Sequence, residues 1–376
     1  MKKKIIVIGC GMVGSAIAIE LSKKYSVTIT DRSDAVLKKA KSKCEALEVL
    51  QLDVTDKKKL TEVVGHFDLL MLAVPGFLGY QTLKTIIEAK KNVVDISFFP
   101  ENALELDSLA KENKVTAIVD CGVAPGLDNM ILGYWNEKIK VMDFECLVGG
   151  LPKNPKPPFN YKAPFSPVDV IEEYTRPARF VENGKLVTKE PLTDRVIHDF
   201  KKAGKLESFN SDGLRSLIFS FPNIPNMKEK TLRYPGHAES VSVLKDSGFF
   251  NTEKMNFGNE KISPLEFSSK ILFNEWKLVE NEEEFTIMRI SVSGKNEKNE
   301  EVKIVYEIFD EYNSISQTSS MARTTGYTAC AAANLFLDGT FSGKGIIPPE
   351  KIGKDEKCFE YVLNYLKGHG IQIEVR

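Results

Sequence analysis

The sequence predicts an α/β protein, a doubly wound parallel sheet with an α+β domain inserted into it. Three observations lead there. Short β-branched runs alternate with amphipathic stretches from Lys4 to about Val119; a glycine-rich turn, Gly9 to Gly14, separates the first run from the first helical pattern; and the pattern changes after Gly126. The expected strands are Ile5–Ile8, Val27–Thr30, Leu47–Leu50, Leu69–Leu72, Val93–Ile96 and Thr116–Val119. Between them Ala16–Lys23, Ala35–Ala40, Lys57–Val64, Tyr80–Ala89 and Leu104–Glu112 carry helical spacing. Strands that alternate with helices at this pitch form parallel βαβ units. The run Leu69–Val74 is apolar on both faces, as a strand covered by helices on each side must be.

After Gly126 the chain meets a Lys- and Pro-rich stretch at Lys153–Pro158, which continues neither a helix nor a central strand. Glu266–Trp276, Phe285–Ser293 and Val302–Phe309 read as β-rich, the last two as a hairpin across the polar loop Gly294–Glu301. Thr318–Gly339 reads as a helix of small residues, suited to close packing against the first domain. A further helix, Asp355–Lys367, and a strand, Ile371–Val375, end the sequence. The expected division is 1–125 plus 318–376 for one domain and 126–317 for the other.

A length of 376 residues exceeds what one core usually serves, in keeping with two domains. A formal net charge of −1, with no Arg/Lys stripe interleaved with aromatics, argues against a nucleic-acid partner. The six cysteines are scattered, with neither metal-ligand nor disulfide-scaffold spacing, so no metal is expected and reduced thiols in a cytoplasmic protein are. The N-terminal apolar run is too short for a signal peptide, and no stretch nears the roughly 20 residues of a membrane span.

Gly9, Gly11 and Gly14 follow a strand and open a helix, with Met12 and Val13 inside the turn. In that context the glycines allow a tight turn, close approach of backbone to a pyrophosphate, and close helix–strand packing. The helix N-terminus turns free N–H groups toward the phosphates. Asp31 ends the second strand, where a carboxylate accepts ribose hydroxyls. A Rossmann-type dinucleotide site follows. Asp31 favours NAD, since a carboxylate repels a 2′-phosphate; Arg32 either pairs with such a phosphate, which keeps NADP open, or stacks on adenine. Asp53 and Val54 end the third strand beside the adenine, though Asp53 reads equally as a turn residue. Ala73, Val74 and Pro75 end the fourth, at the nicotinamide ribose.

Ligands of open α/β sheets lie beyond the carboxyl ends of the strands. Asp95 and Asp120 close consecutive strands there, as a candidate base or ammonium anchor, or as turn formers. Arg323 and Thr324 arrive on the returning small-residue helix. The segments Val119–Asn129, Val148–Pro152, Arg233–His237 and Met321–Gly326 resemble the saccharopine dehydrogenase family, and within it the lysine 6-dehydrogenase branch. The resemblance spans nearly the whole chain. It implies a nicotinamide domain, an inserted substrate-binding and dimerisation domain, and chemistry at a carbon–nitrogen bond. Saccharopine reductases carry an acidic residue before the Pro-Gly of the Asp120–Gly126 motif, where this chain has Ala124.

A simpler diamino acid is therefore the expected substrate and its terminal amine, most directly that of L-lysine, the expected site of NAD-dependent deamination. Oxidation requires a neutral amine, so Asp95, Asp120 or His237 must take its proton. Arg233 and Arg323 are candidate clamps for the α-carboxylate, with structural ion pairing as the competing role. An NADPH-dependent reductase that joins an amine to a semialdehyde, as in saccharopine or carboxynorspermidine formation, is the alternative enzyme. A non-catalytic NAD(P) sensor is the alternative of another class. A homodimer, or a multiple of one, is the expected assembly.

Overall fold

A computed structural model describes residues 2–164, 167–279 and 282–376. The first third of the chain alternates strand and helix: β1 (Lys4–Ile8), α1 (Met12–Ser22), β2 (Ser26–Asp31), α2 (Asp34–Lys43), β3 (Glu48–Gln51), α3 (Lys57–Val64), β4 (Leu69–Leu72), α4 (Gly76–Glu88), β5 (Val93–Asp95), α5 (Asp107–Glu112) and β6 (Thr116–Ile118). All six expected strands form and pair in parallel. Their side chains are buried on both faces in β1 and β4, with two apolar clusters above and below.

The middle of the chain supplies α6 (Leu127–Asn136), β7 (Lys140–Pro152), α7 (Pro167–Thr175), β8 (Ala178–Glu182), β9 (Lys185–Lys189), β10 (Val196–Phe200), β11 (Gly204–Asn210), α8 (Leu217–Ser220), β12 (Asn226–Arg233), α9 (His237–Asp246), β13 (Met255–Phe257), β14 (Glu260–Ile262), α10 (Pro264–Trp276), β15 (Glu284–Lys295) and β16 (Glu301–Glu311). The last segment gives α11 (Ser320–Leu337), β17 (Gly345–Ile347), α12 (Pro349–Gly353), α13 (Glu356–Gly368) and β18 (Gln372–Val375).

A second, mixed sheet runs β10-β11-β12-β7-β15-β16-β18, with β8 and β9 attached at β12. The expected hairpin is β15 and β16, paired from Phe285↔Glu311 to Lys295↔Glu301. Glu266–Trp276, expected to be β-rich, is instead inside the helix α10. Ser263 caps it, accepting from the Glu266 N–H while the Glu266 carboxylate accepts from the Ser263 N–H, and Pro264 takes the first turn. That reciprocal cap, with Leu272 and Trp276 buried four residues apart on one face, outweighs the β-forming aromatics.

α11 is buried along nearly all its length because it lies between layers: it packs on α1 and also touches β15, β16 and α13. β17 then extends the parallel sheet beside β6, giving the order β17-β6-β5-β4-β1-β2-β3. The final strand departs from the expected division. β18 pairs with β16 in the second sheet, because Ile373 registers with Ile308 there.

Candidate active site

Strand order reverses between β1 and β4, which opens a crevice at the carboxyl ends of the strands. A cleft of about 840 Å³ occupies it, walled by both sheets. At its nucleotide end the glycine turn is shaped by contact. Gly9 sits at φ +107°, and a Cβ there would fall 2.2 Å from the Ala73 carbonyl oxygen. A Cβ at Gly14 would fall 2.0 Å from the Gly9 carbonyl oxygen, whereas one at Gly11 would meet nothing within 4 Å. Two glycines thus pack the turn, and the third leaves room on the ligand side. No side chain caps the start of α1, so its first N–H groups are available to an anion.

Asp31 is held in place: Oδ2 accepts from the Cys10 N–H at 3.0 Å and Oδ1 from the Ser33 N–H at 2.9 Å. Gly9, Gly11, Met12, Val13, Gly14, Asp31, Arg32, Asp53, Val54, Ala73, Val74 and Pro75 all line the cleft. Asp53 does this while also forming a turn, accepting from the Thr55 N–H and hydroxyl at 2.9 and 2.7 Å; the Thr55 N–H bond holds its pKa below the ordinary value. The turn reading of Asp53 holds, and the residue stands at the edge of the cleft.

The candidates beyond the nicotinamide end separate sharply. Asp120, at φ +51°, borders the cleft, but a buried ion pair with Arg215 holds it at 3.0 Å. Arg215 is tied further to the Phe99 carbonyl. Asp95 is fully buried behind the cleft wall, where Oδ1 accepts from the Ser97 N–H at 2.8 Å and Oδ2 has no partner. Burial is the main reason its pKa rises to about 8, and the nearby Asp120 charge adds to it.

His237 is not at the cleft. It is 1% exposed in an aromatic cluster with Tyr161, Tyr174 and Trp276. The Phe159 carbonyl can only accept, so His237 Nδ1 carries the proton and donates to it at 2.9 Å; Nε2 accepts from the Tyr174 hydroxyl, also at 2.9 Å. Burial, and then the Arg233 charge, lower its pKa to about 3. Both nitrogens are occupied and the ring stays neutral, so the expected role as base gives way to a structural one.

Arg233 does border the cleft, yet its guanidinium is committed: to Glu173 at 2.8 Å, to Tyr161 and Tyr174 at 3.3 Å each, and to the Leu232 carbonyl at 2.9 Å. Arg323 lies outside it, forked onto Asp310 at 2.9 and 3.2 Å and bonded to the His369 carbonyl at 2.7 Å. Thr324 donates to the Ser320 carbonyl within α11 at 2.9 Å and is buried. Helical spacing explains the miss. Met321 and Thr325, one turn apart, are the α11 residues that face the cleft.

Residues the sequence did not single out complete the wall: Asp169, Glu172 and Glu173 from α7, Arg176 directly after it, Asp212 from the loop after β11, and Glu229 from β12. Glu229, Thr231 and Arg233 alternate along one strand and all face the cleft, so the period of two running back from the Arg233 motif carried the signal. The substrate end thus shows Asp120, Asp169, Glu172, Glu173, Asp212 and Glu229 against Arg176 and Arg233.

A glycine turn at a strand switch point, an anchored carboxylate on the second strand and a cleft shared with a second sheet define the frame of a nicotinamide-dependent oxidoreductase. Residues 5–118 match the family model of the saccharopine dehydrogenase NADP binding domain, and residues 122–371 that of the saccharopine dehydrogenase C-terminal domain. The chain belongs to the saccharopine dehydrogenase family of NAD(P)-dependent oxidoreductases.

Saccharopine dehydrogenase [NADP(+), L-glutamate-forming] of Saccharomyces cerevisiae is 23% identical, over 93% of this chain and 94% of its own length. Carboxyaminopropylagmatine dehydrogenase of Synechocystis is 22% identical, over 94% of this chain and 93% of its own length. Mouse mitochondrial alpha-aminoadipic semialdehyde synthase is 24% identical over 98% of this chain; the chain spans about half the length of that relative, 47%. The solved apo saccharopine dehydrogenase of S. cerevisiae shares the fold across 100% of this chain and 99% of its own, at a TM-score of 0.80 and 19% identity. Among the described residues no helix is long and apolar enough to cross a membrane.

Proposed function

We propose that the protein catalyses NAD-dependent oxidation of a primary amine on an amino acid, with the ε-amine of L-lysine as the leading substrate, as in the lysine 6-dehydrogenase branch. The products are the semialdehyde or its cyclic imine, ammonia and NADH. The observation that carries this proposal is the charge of the substrate end, six carboxylates against four arginines once Arg179 and Arg215, which pair with Asp212 and Asp120, are counted with Arg176 and Arg233. Such a wall favours a cationic amine and disfavours a substrate bearing several carboxylates.

In this proposal the Gly9–Gly14 turn and the start of α1 hold the pyrophosphate, and Asp31 accepts the ribose hydroxyls. When bound, the cofactor supplies a hydride acceptor. The chain's own residues orient the amine, take its proton and exclude water, and water enters afterwards to hydrolyse the iminium. The α-carboxylate of lysine falls to Arg176, whose Nη1 is buried in the cleft wall without a partner.

A second reading, reductive joining of an amine to a semialdehyde with NADPH, draws on the likeness to the NADP(+) saccharopine dehydrogenase of yeast and the carboxyaminopropylagmatine dehydrogenase of Synechocystis, which match nearly end to end. Purified protein with NAD or NADP and a panel of amino acids, followed by absorbance of the reduced cofactor, tests the two. NADH formed with lysine supports deamination. Consumption of NADPH only when an amine and a semialdehyde are both supplied overturns it in favour of the second reading. Cofactor binding without turnover in either direction overturns both in favour of a sensor.

A further inference from the structure

One carboxyl at the substrate end stands apart from its neighbours. Asp120 is held by Arg215, Glu172 by Arg176, Glu173 by Arg233 and Asp212 by Arg179. Asp169 accepts from the Gly76 N–H. Glu229 instead faces acids. Its partner across the parallel pairing with β7 is Cys146, and Asp128, in the first turn of α6, joins them. One donor atom from each of the three lies within 4.8 Å of the other two, and all three side chains are buried. Asp212, Glu173, Glu350 and Glu145 act on the cluster from the neighbouring elements, and each adds negative charge. Gly213 makes room for this arrangement, since a Cβ there would fall 2.0 Å from Glu229 Oε1.

Two carboxylates this close, away from water, do not both stay ionised. As anions, Asp128 Oδ2 and Glu229 Oε2 have no hydrogen-bond donor. A single proton held between the two groups supplies the missing donor and removes most of the repulsion. Asp128 Oδ1 already accepts from the Gly126 N–H at 2.9 Å, which fixes the pair to the loop that begins at Asp120. Burial first, and then each other's charge, push Glu229 well above the usual carboxylate range; burial raises Asp128 to about 7.

We infer that Glu229 and Asp128 form a proton-sharing carboxyl pair that docks the reacting ammonium group of a primary-amine substrate and takes its proton before hydride leaves. This rests on the amine-oxidation proposal above. The pair holds one net negative charge at the cleft wall, enough to bind one cation. An N–H bond of the ammonium breaks, an O–H bond forms on Glu229, and the shared proton settles on Asp128. The nitrogen lone pair then forms the C=N bond as hydride passes from the adjacent carbon to NAD⁺, leaving iminium and NADH. Water adds to the iminium, and ammonia departs as the carbonyl forms. Glu229 is the catalytic residue in this scheme; Asp128 positions it and sets its proton affinity.

The test uses the full chain as wild type, Glu229→Gln and Asp128→Asn, with folding verified by NADH binding. The infrared difference spectrum of wild type minus Glu229→Gln at neutral pH should show a carboxylic-acid C=O stretch that belongs to the pair. Its absence from wild type overturns the shared proton, whatever the protein oxidises. With NAD and lysine, Glu229→Gln should lose about 100-fold or more in kcat, the usual scale for a lost general base. Asp128→Asn should move the acidic limb of the kcat/KM pH profile to higher pH, because the shared proton that stabilises the Glu229 anion is gone while its burial remains. Glu229→Gln within about threefold of wild type in kcat overturns the proton-acceptor role. Wild type that shows the acid stretch but oxidises no amine refutes the functional proposal, and with it that role, while the shared proton stands.

Discussion

Replacing Asp31 with Ala should reverse the cofactor preference of the protein. The carboxylate is not merely near the nucleotide end of the cleft; two backbone N–H groups, of Cys10 and Ser33, fix its oxygens at 3.0 and 2.9 Å. Its remaining lone pairs are available to two ribose hydroxyls. Hydrogen bonds to a charged group contribute about 1.5–3 kcal/mol each. Losing the pair, with partial compensation by water, should cost about 3 kcal/mol, or roughly a 150-fold weaker NAD complex. NADP should respond differently, because the same carboxylate repels a 2′-phosphate and Arg32 stands next to it at the cleft edge. Its affinity should hold or improve. Titrating the protein with NADH and NADPH by fluorescence, before and after substitution, measures both. An equal loss for the two cofactors would refute the placement of Asp31 on the ribose.

Three further outcomes follow from the packing. His237→Phe should lower stability by about 1–3 kcal/mol, through the orphaned Phe159 carbonyl and Tyr174 hydroxyl, yet leave the pH profile of kcat unmoved; a lost titration limb with intact stability would restore it as a base. Because its folded pKa is depressed to about 3, the unfolded chain takes up the proton first, so His237 makes stability fall as pH drops from about 6.5 toward 3, and urea titrations of the variant should show a weaker decline in that window. Arg215→Met should cost about 3–5 kcal/mol by leaving Asp120 buried and unpaired, while Asp120→Asn combined with Arg215→Met should cost clearly less than the sum of the single changes. Additive losses in denaturant unfolding would mean that the two residues do not act as a pair.

Much of the parallel sheet was legible because its signals are local. Runs such as Leu69–Leu72 are too apolar for any but a doubly covered strand, and Gly9, Gly11 and Gly14 stand directly between strand and helix. α10 was misjudged for want of weight on Ser263, Pro264 and Glu266, a start signal that outranks the aromatics after it. β17 and β18 are short, and their partners lie more than 60 residues away in sequence, so no local pattern announces which sheet they join.

The substrate end was hardest for a related reason. Motifs located the right segments but not the right faces. Arg323 and Thr324 belong to a cleft-lining helix on which Met321 and Thr325 are the residues that face the cleft. The Arg233–His237 segment brought Arg233 to the wall and buried His237 behind it. Glu229 and Asp128 are 101 positions apart, and only the parallel pairing of β12 with β7 brings their strands and helix together.

The central claim is that hydride leaves the carbon bearing a primary amine and that NAD receives it. Lysine deuterated at the carbon bearing its ε-amine, incubated with NAD and the protein, tests this directly by mass spectrometry of the reduced cofactor. The account predicts one deuterium in NADH for each ammonia released. Ammonia without deuterium in the cofactor, or NADH formed only from other substrates, would contradict it.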